Sequence, residues 1–110
     1  MEYTYKHKFI RFHFSKNPWV NVWHQAKTRC TNPSNPSYKY YGGRGIKFFI
    51  TKNEIHFLWI RDEAWKMKQP SIDRINTDGH YEISNCRFIE MSDNIAKRNT
   101  EYALKLKKNK

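Results

Sequence analysis

A chain of 110 residues has room for one compact domain, and its 21 Lys and Arg against 10 Asp and Glu give a formal net charge of +11 and a pI of about 9.8. No apolar run approaches the ~20 residues of a spanning helix, and no signal-peptide pattern of charged, apolar and small-residue regions is present. A dissolved polyanion rather than a membrane is the expected partner.

Residues 3–14 alternate aromatic with basic side chains (Tyr3, Tyr5, Phe12 and Phe14 against Lys6, Lys8, Arg11 and His13). That period of two suits a short strand or an extended arm. Asn17-Pro18 offers a cap and a first helical residue. Trp19, Val22, Trp23, Ala26 and Cys30 follow at helical spacing, which predicts a helix over 18–30 with its aromatic face in the core. Residues 31–45, rich in Pro, Asn, Ser, Gly and Tyr, read as a loop. Its Gly42-Gly43-Arg44-Gly45 run lacks the Lys-Ser/Thr ending of a phosphate-binding loop. The glycines are therefore assigned to a turn that needs positive φ angles before a strand at 46–50. Lys39, Tyr40, Tyr41, Arg44 and Lys47 become candidates for backbone contact with, or stacking on, a nucleic acid.

Thr51, with Glu54 three residues later, is a capping box. It opens a helix carrying Ile55, Leu58, Trp59, Ile60 and Trp65 that is expected to end before Pro70. Residues 71–75 and 85–89 read as two strands around a polar loop, and a last helix starts near Ser92 with Ile95, Tyr102 and Leu106 on one stripe. The expected fold is a small single α+β domain. Its helical, aromatic N-terminal part (1–69) serves as DNA-binding scaffold, and its C-terminal part (70–110) ends in a basic helix.

Charge is unevenly spread. Residues 1–50 hold nine basic side chains against one acidic, and residues 97–110 hold six against one. Residues 71–96 reverse the balance, with Arg74 and Arg87 against Asp73, Asp78, Glu82, Glu90 and Asp93. An acidic island between basic flanks suits a cation site beside a polyanion track, which a simple DNA-coating protein does not need.

The run Ser71-Ile72-Asp73-Arg74-Ile75, then Gly79-His80-Tyr81, Asn85-Cys86-Arg87 and Asn94 in the next helix resembles the ββα-metal core of HNH endonucleases. It looks closest to the phage-type branch in which Asp-Arg replaces the His pair. The segment from Trp23 through Arg29-Cys30-Thr31-Asn32-Pro33 to Gly45-Ile46 resembles what precedes the core in those proteins. The resemblance implies a metal-dependent DNA endonuclease, with a phage- or intron-borne nicking or homing role inside the cytoplasm of an infected host. It implies Asp73 and Asn94 as ligands of one hard ion, Mg²⁺ or Mn²⁺, which favours oxygen donors. It also implies Asn85 as the residue that braces the loop between the strands. Double-stranded DNA is the implied substrate, with Arg87, Lys97, Arg98, Lys105, Lys107 and Lys108 adding to the basic track. A monomer with one such site nicks, and cutting both strands takes a homodimer or two events.

Two departures matter. Cys30 and Cys86 form no Cys-x-x-Cys pair and the five histidines are scattered, so no structural zinc is expected. In a reducing compartment the two thiols stay unpaired. Arg74 stands where the usual core has its general base, and a guanidinium does not deprotonate. It can grip a phosphate oxygen, but the proton acceptor must be His80, by its intrinsic pKa, or Tyr81, by the Gly-x-Tyr match and a pKa lowered by Arg74 and the metal. If neither reaches the water, the alternative is a non-catalytic DNA- or RNA-binding protein on a degenerate nuclease fold.

Overall fold

The computed structural model describes residues 17–108, and the alternating segment 3–14 lies outside them. Helix α1 (Pro18–Thr31) begins one residue after Asn17, as the Pro predicts. The Asn17 side chain makes no cap bond; its carbonyl instead accepts from Val20 N at 3.0 Å. Helix α2 (Lys52–Arg61) opens on the complete capping box, with Glu54 N donating to Thr51 Oγ1 at 3.1 Å and Thr51 N to Glu54 Oε1 at 3.0 Å. It stops eight residues earlier than expected. Asp62 leaves the helix to accept from Phe88 N at 2.7 Å, and Glu63 turns the chain at φ 52 into a 3₁₀ turn, Ala64–Lys66.

Strands β1 (Pro70–Arg74) and β2 (Cys86–Glu90) form an antiparallel pair in which Ile72 faces Phe88, Asp73 faces Arg87 and Arg74 faces Cys86. Helix α3 (Met91–Lys108) follows without a break. Glu90 accepts from Lys68 N and Gln69 N, which ties the end of β2 to the start of β1. Residues 71–74 are all buried, because alternate side chains of the strand are covered on opposite sides. Ile72, Arg74, Cys86 and Phe88 belong to the side packed on α1 and α2, whereas Ser71 and Asp73 meet α3.

The core joins Ala26 and Cys30 of α1, Ile55, Leu58 and Trp59 of α2, Ile46, Ile50, Ile72, Tyr81, Cys86 and Phe88. Ile55 and Leu58 are 1% and 0% exposed, and burial of each such side chain contributes about 1.5–3 kcal/mol. The aromatic face of α1 packs as predicted: Trp19 stacks on His56 at 4.0 Å between ring centroids, and Trp23 Nε1 donates to Ile50 O at 2.8 Å. That bond anchors residues 46–50, which do not form the expected strand. They make a single parallel bridge, Phe48 to Tyr81, before the opposing chain turns away into the 3₁₀ turn Ile83–Asn85. The predicted apolar stripe of α3 is not covered by the described residues, since Ile95, Tyr102 and Leu106 are all exposed. Only the first turns of this 18-residue helix rest on the sheet.

The loop at 31–45 is more ordered than its composition suggests, with 3₁₀ turns at Tyr38–Tyr40 and Gly42–Arg44. Gly45 has the positive φ (91) that the turn required. Gly42 serves a different need: a Cβ there would lie 2.2 Å from Cys30 O, so the loop approaches the end of α1 as only glycine permits.

Candidate functional site

The connection between β1 and β2 is closed by one side chain. Asn85 Oδ1 accepts from Asn76 N at 2.9 Å, while Nδ2 donates to Asn76 O at 3.1 Å and His80 O at 3.0 Å. This is the bracing role expected of Asn85. Gly79 lies against it, where a Cβ would come within 2.8 Å of Nδ2.

Beside the braced loop, Asp73 is 3% exposed and both of its oxygens are taken. Oδ2 accepts from Arg87 Nε at 2.8 Å across the strand pair, and Oδ1 accepts from Lys97 Nζ at 3.0 Å. Lys97 reaches further, donating to the carbonyls of Arg74 at 2.6 Å and Ile75 at 3.2 Å. Its ammonium thus has an oxygen for each of its three protons. Asn94, one turn earlier on the same face of α3, donates Nδ2 to Ser71 Oγ at 2.8 Å and Ile72 O at 3.2 Å. Asp73 and Asn94 therefore both lie at the β1–α3 junction but bond different partners, and the Asn94 amide turns Nδ2 to the strand. Lys97, expected only as a DNA contact, is the residue sequence reasoning missed. Its signal was its place three positions beyond Asn94, on the face that α3 turns to the sheet.

The oxygens gathered around Lys97, a carboxylate and two backbone carbonyls, are of the kind a hard cation takes, with no soft ligand among them. No group of three His, Cys, Asp or Glu side chains gathers among the described residues, so an ion here would rely on Asp73 and neutral oxygens. The chemistry fits Mg²⁺ or Mn²⁺, but the position at Asp73 Oδ1 is taken by the Lys97 ammonium.

Arg74 points away from this cage. Its Nη1 donates to Thr77 O and Gly79 O, and its guanidinium lies 5.2 Å from the centroids of both Tyr41 and Tyr81. The residue is 8% exposed, so it braces the loop from beneath. The phosphate grip expected of it is not available in this arrangement. Arg29 joins the same stack, with its guanidinium 5.1 Å from the Tyr41 ring and Nη2 donating to Tyr81 Oη at 3.3 Å; its buried Nε has no partner among the described residues.

Both candidate bases are constrained. Tyr81 is 2% exposed, and burial pushes its pKa above the ordinary phenol value although Arg29 and Arg74 pull the other way. This corrects the expected lowering by neighbouring cations: desolvation outweighs them. His80 Nδ1 accepts from Lys47 N at 2.9 Å. The neutral ring then carries its proton on Nε2, so neither nitrogen offers a free lone pair while that bond holds.

The surrounding surface is strongly basic. Lys39, Lys47, Arg98, Lys105 and Lys107 are exposed, and Tyr40 is 60% exposed with the Lys39 ammonium 5.2 Å from its ring. Tyr41 instead sits half-buried, with the guanidinium groups of Arg29 and Arg74 5.1 and 5.2 Å from its ring centroid. Arg44 is exposed but engaged, bonding Tyr40 O, Thr77 O and Asp78 Oδ1 and so tying the glycine turn to the β1–β2 loop. Lys108 closes α3. Comparison with protein-family models, curated proteins and solved structures finds no match, so the functional reading rests on these residues.

Proposed function

We propose that this chain acts on double-stranded DNA as a divalent-metal-dependent endonuclease of the HNH type. The observation that carries this reading is that Asp73 of β1, bonded by Lys97, and Asn94 of α3, bonded to Ser71 and Ile72, both lie at the β1–α3 junction beside a loop clasped by Asn85. Asp73 and Asn94 would hold the ion, which supplies Lewis-acid polarisation of the scissile phosphate. Arg87 fixes the second Asp73 oxygen and so orients the carboxylate along the strand pair. Asn85 and Arg74 keep the loop rigid from two sides, which limits the reorganisation needed when substrate arrives. The basic surface of the helices and of the glycine turn supplies sequence-independent attraction to the phosphate backbone.

A second reading, DNA binding without cleavage, is favoured by one specific observation: Tyr81 is buried with its pKa raised, and His80 Nδ1 is engaged by Lys47 N. Supercoiled plasmid incubated with the protein and Mg²⁺ or Mn²⁺, against a chelator control, separates the two. Nicked or linear product that disappears in Asp73→Asn supports the nuclease. Intact plasmid that is nevertheless retarded in a gel supports binding alone.

A further inference from the structure

Lys97 is held as an ion would be held. Its ammonium has three oxygen neighbours, Asp73 Oδ1 at 3.0 Å, Arg74 O at 2.6 Å and Ile75 O at 3.2 Å. Its side chain is 21% exposed, against 3% for the carboxylate it faces. The Asp73 charge is already matched on the other oxygen by Arg87 at 2.8 Å, so Lys97 adds a second cation to a single carboxylate. A surface lysine gains little from an exposed ion pair. One that gives up its hydration for two backbone carbonyls and a buried carboxylate is occupying a cation position.

We propose that Lys97 is the resident cation of this site and that a divalent ion binds by displacing it. This rests on the nuclease reading for the identity of the incoming ion, but not for the occupancy itself. The Asp73 Oδ1 lone pairs and the carbonyls of Arg74 and Ile75 serve either the ammonium or the metal. Displacement is mechanically simple. Lys97 sits on α3 at the edge of the site, and its flexible four-carbon stem lets the ammonium swing to solvent without moving the helix. Charge makes the two cations mutually exclusive, because a divalent ion together with the Lys97 ammonium and Arg87 would crowd one carboxylate with too much positive charge. The released ammonium then stays close to the site and is available to a phosphate. Without metal the clasp keeps the Asp73 carboxylate paired; with metal it frees a basic side chain for the polyanion.

Metal binding without DNA tests this directly. Mn²⁺ titrated into wild type, Lys97→Met and the double variant Asp73→Asn/Lys97→Met is followed by loss of the free-ion electron spin resonance signal. If the ammonium-out state is populated below about one part in ten, Lys97→Met should bind Mn²⁺ roughly tenfold tighter or more, and the double variant should lose that gain. Equal affinity in wild type and Lys97→Met, or tightening that survives Asp73→Asn, overturns the proposal. The wild-type protein provides an independent reading should Lys97→Met fail to fold. Lys97 should acetylate slowly with acetic anhydride in metal-free buffer and clearly faster with excess Mg²⁺, while Lys39 and Lys105 stay unchanged. A Lys97 rate indifferent to Mg²⁺ also overturns it. The two readings fail separately. Asp73-dependent Mn²⁺ binding in Lys97→Met with no plasmid cleavage by wild type keeps the clasp and removes the nuclease; Mg²⁺-dependent cleavage with identical Mn²⁺ affinities does the reverse.

Discussion

Replacing Asn85 with Ala removes one side chain that makes three hydrogen bonds to the β1–β2 connection and disturbs little else. The Asn85 backbone bonds, Ile75 N to Asn85 O at 2.7 Å and Asn85 N to Glu82 O at 2.9 Å, survive the change. The clasp on Asn76 N, Asn76 O and His80 O is what disappears. Each bond contributes on the order of 1 kcal/mol net, and water can reach a half-buried site, so the loss should total about 2–3 kcal/mol. In urea, with a slope near the usual ~1–3 kcal/mol/M, the midpoint should fall by about 1–2 M. The four tryptophans give a fluorescence signal for the unfolding. Gly79 supplies an internal control, because a Cβ there would press on Asn85 Nδ2 at 2.8 Å. Gly79→Ala should therefore destabilise wild type more than it destabilises Asn85→Ala, with a coupling of about 0.5 kcal/mol or more. A midpoint shift below ~0.3 M, or strictly additive effects of the two changes, would refute the clasp.

Three further outcomes follow from the same geometry. Burial pushes the Cys86 thiol up to about 12, with Arg74 and a backbone bond from Glu82 opposing. The folded state thus holds this proton more tightly than the unfolded chain. Its contribution to stability is complete below the ordinary thiol value of 9.0 and is lost as pH rises from there toward 12, so Cys86→Ala should show a flatter fall in urea midpoint over that window. Truncation of residues 105–110 removes four lysines and should flatten log K against log salt on duplex DNA by up to roughly 0.9 for each phosphate no longer neutralised; an unchanged slope would remove the tail from the interface. Tyr81→Phe deletes only the long 3.3 Å bond from Arg29, and a buried phenol with a raised pKa is a poor proton acceptor. Plasmid nicking by this variant should stay within about threefold of wild type, against the drop of ~100-fold or more that removal of a true general base would cause.

Much of the local structure was legible because single residues carry it. Pro18 starts α1, the Thr51–Glu54 pair starts α2, and the apolar spacing of Trp19, Val22, Trp23, Ala26 and Cys30 names the buried face. The hairpin and the last helix fall within a residue of where the pattern put them, and Asn85 bonds backbone groups of the loop. The failures are tertiary. Periodicity alone extends α2 toward Pro70, because the bond that ends it, Asp62 to Phe88 N, spans 26 positions. The 46–50 strand reduces to one bridge for want of a continuous partner, which no local pattern reveals. In the site, residue type indicated cations near Asp73 but not which cation holds it. Lys97 and Asp73 lie 24 positions apart and meet only once α3 has docked. Tyr81 was misjudged for a related reason: counting nearby charges is possible from sequence, whereas the desolvation that dominates its pKa depends on the packing around it.

The two-sided cover of β1 also restricts how this protein can change over generations. Inserting or deleting one residue within Pro70–Arg74 would exchange the sides of the strand. Asp73 would then turn toward Trp59 and Phe88, and Ile72 or Arg74 would turn toward Lys97. A carboxylate would enter an apolar layer and a lysine would lose its acceptor in the same step. Substitutions along this strand can be sampled one at a time, but changes in its length cannot.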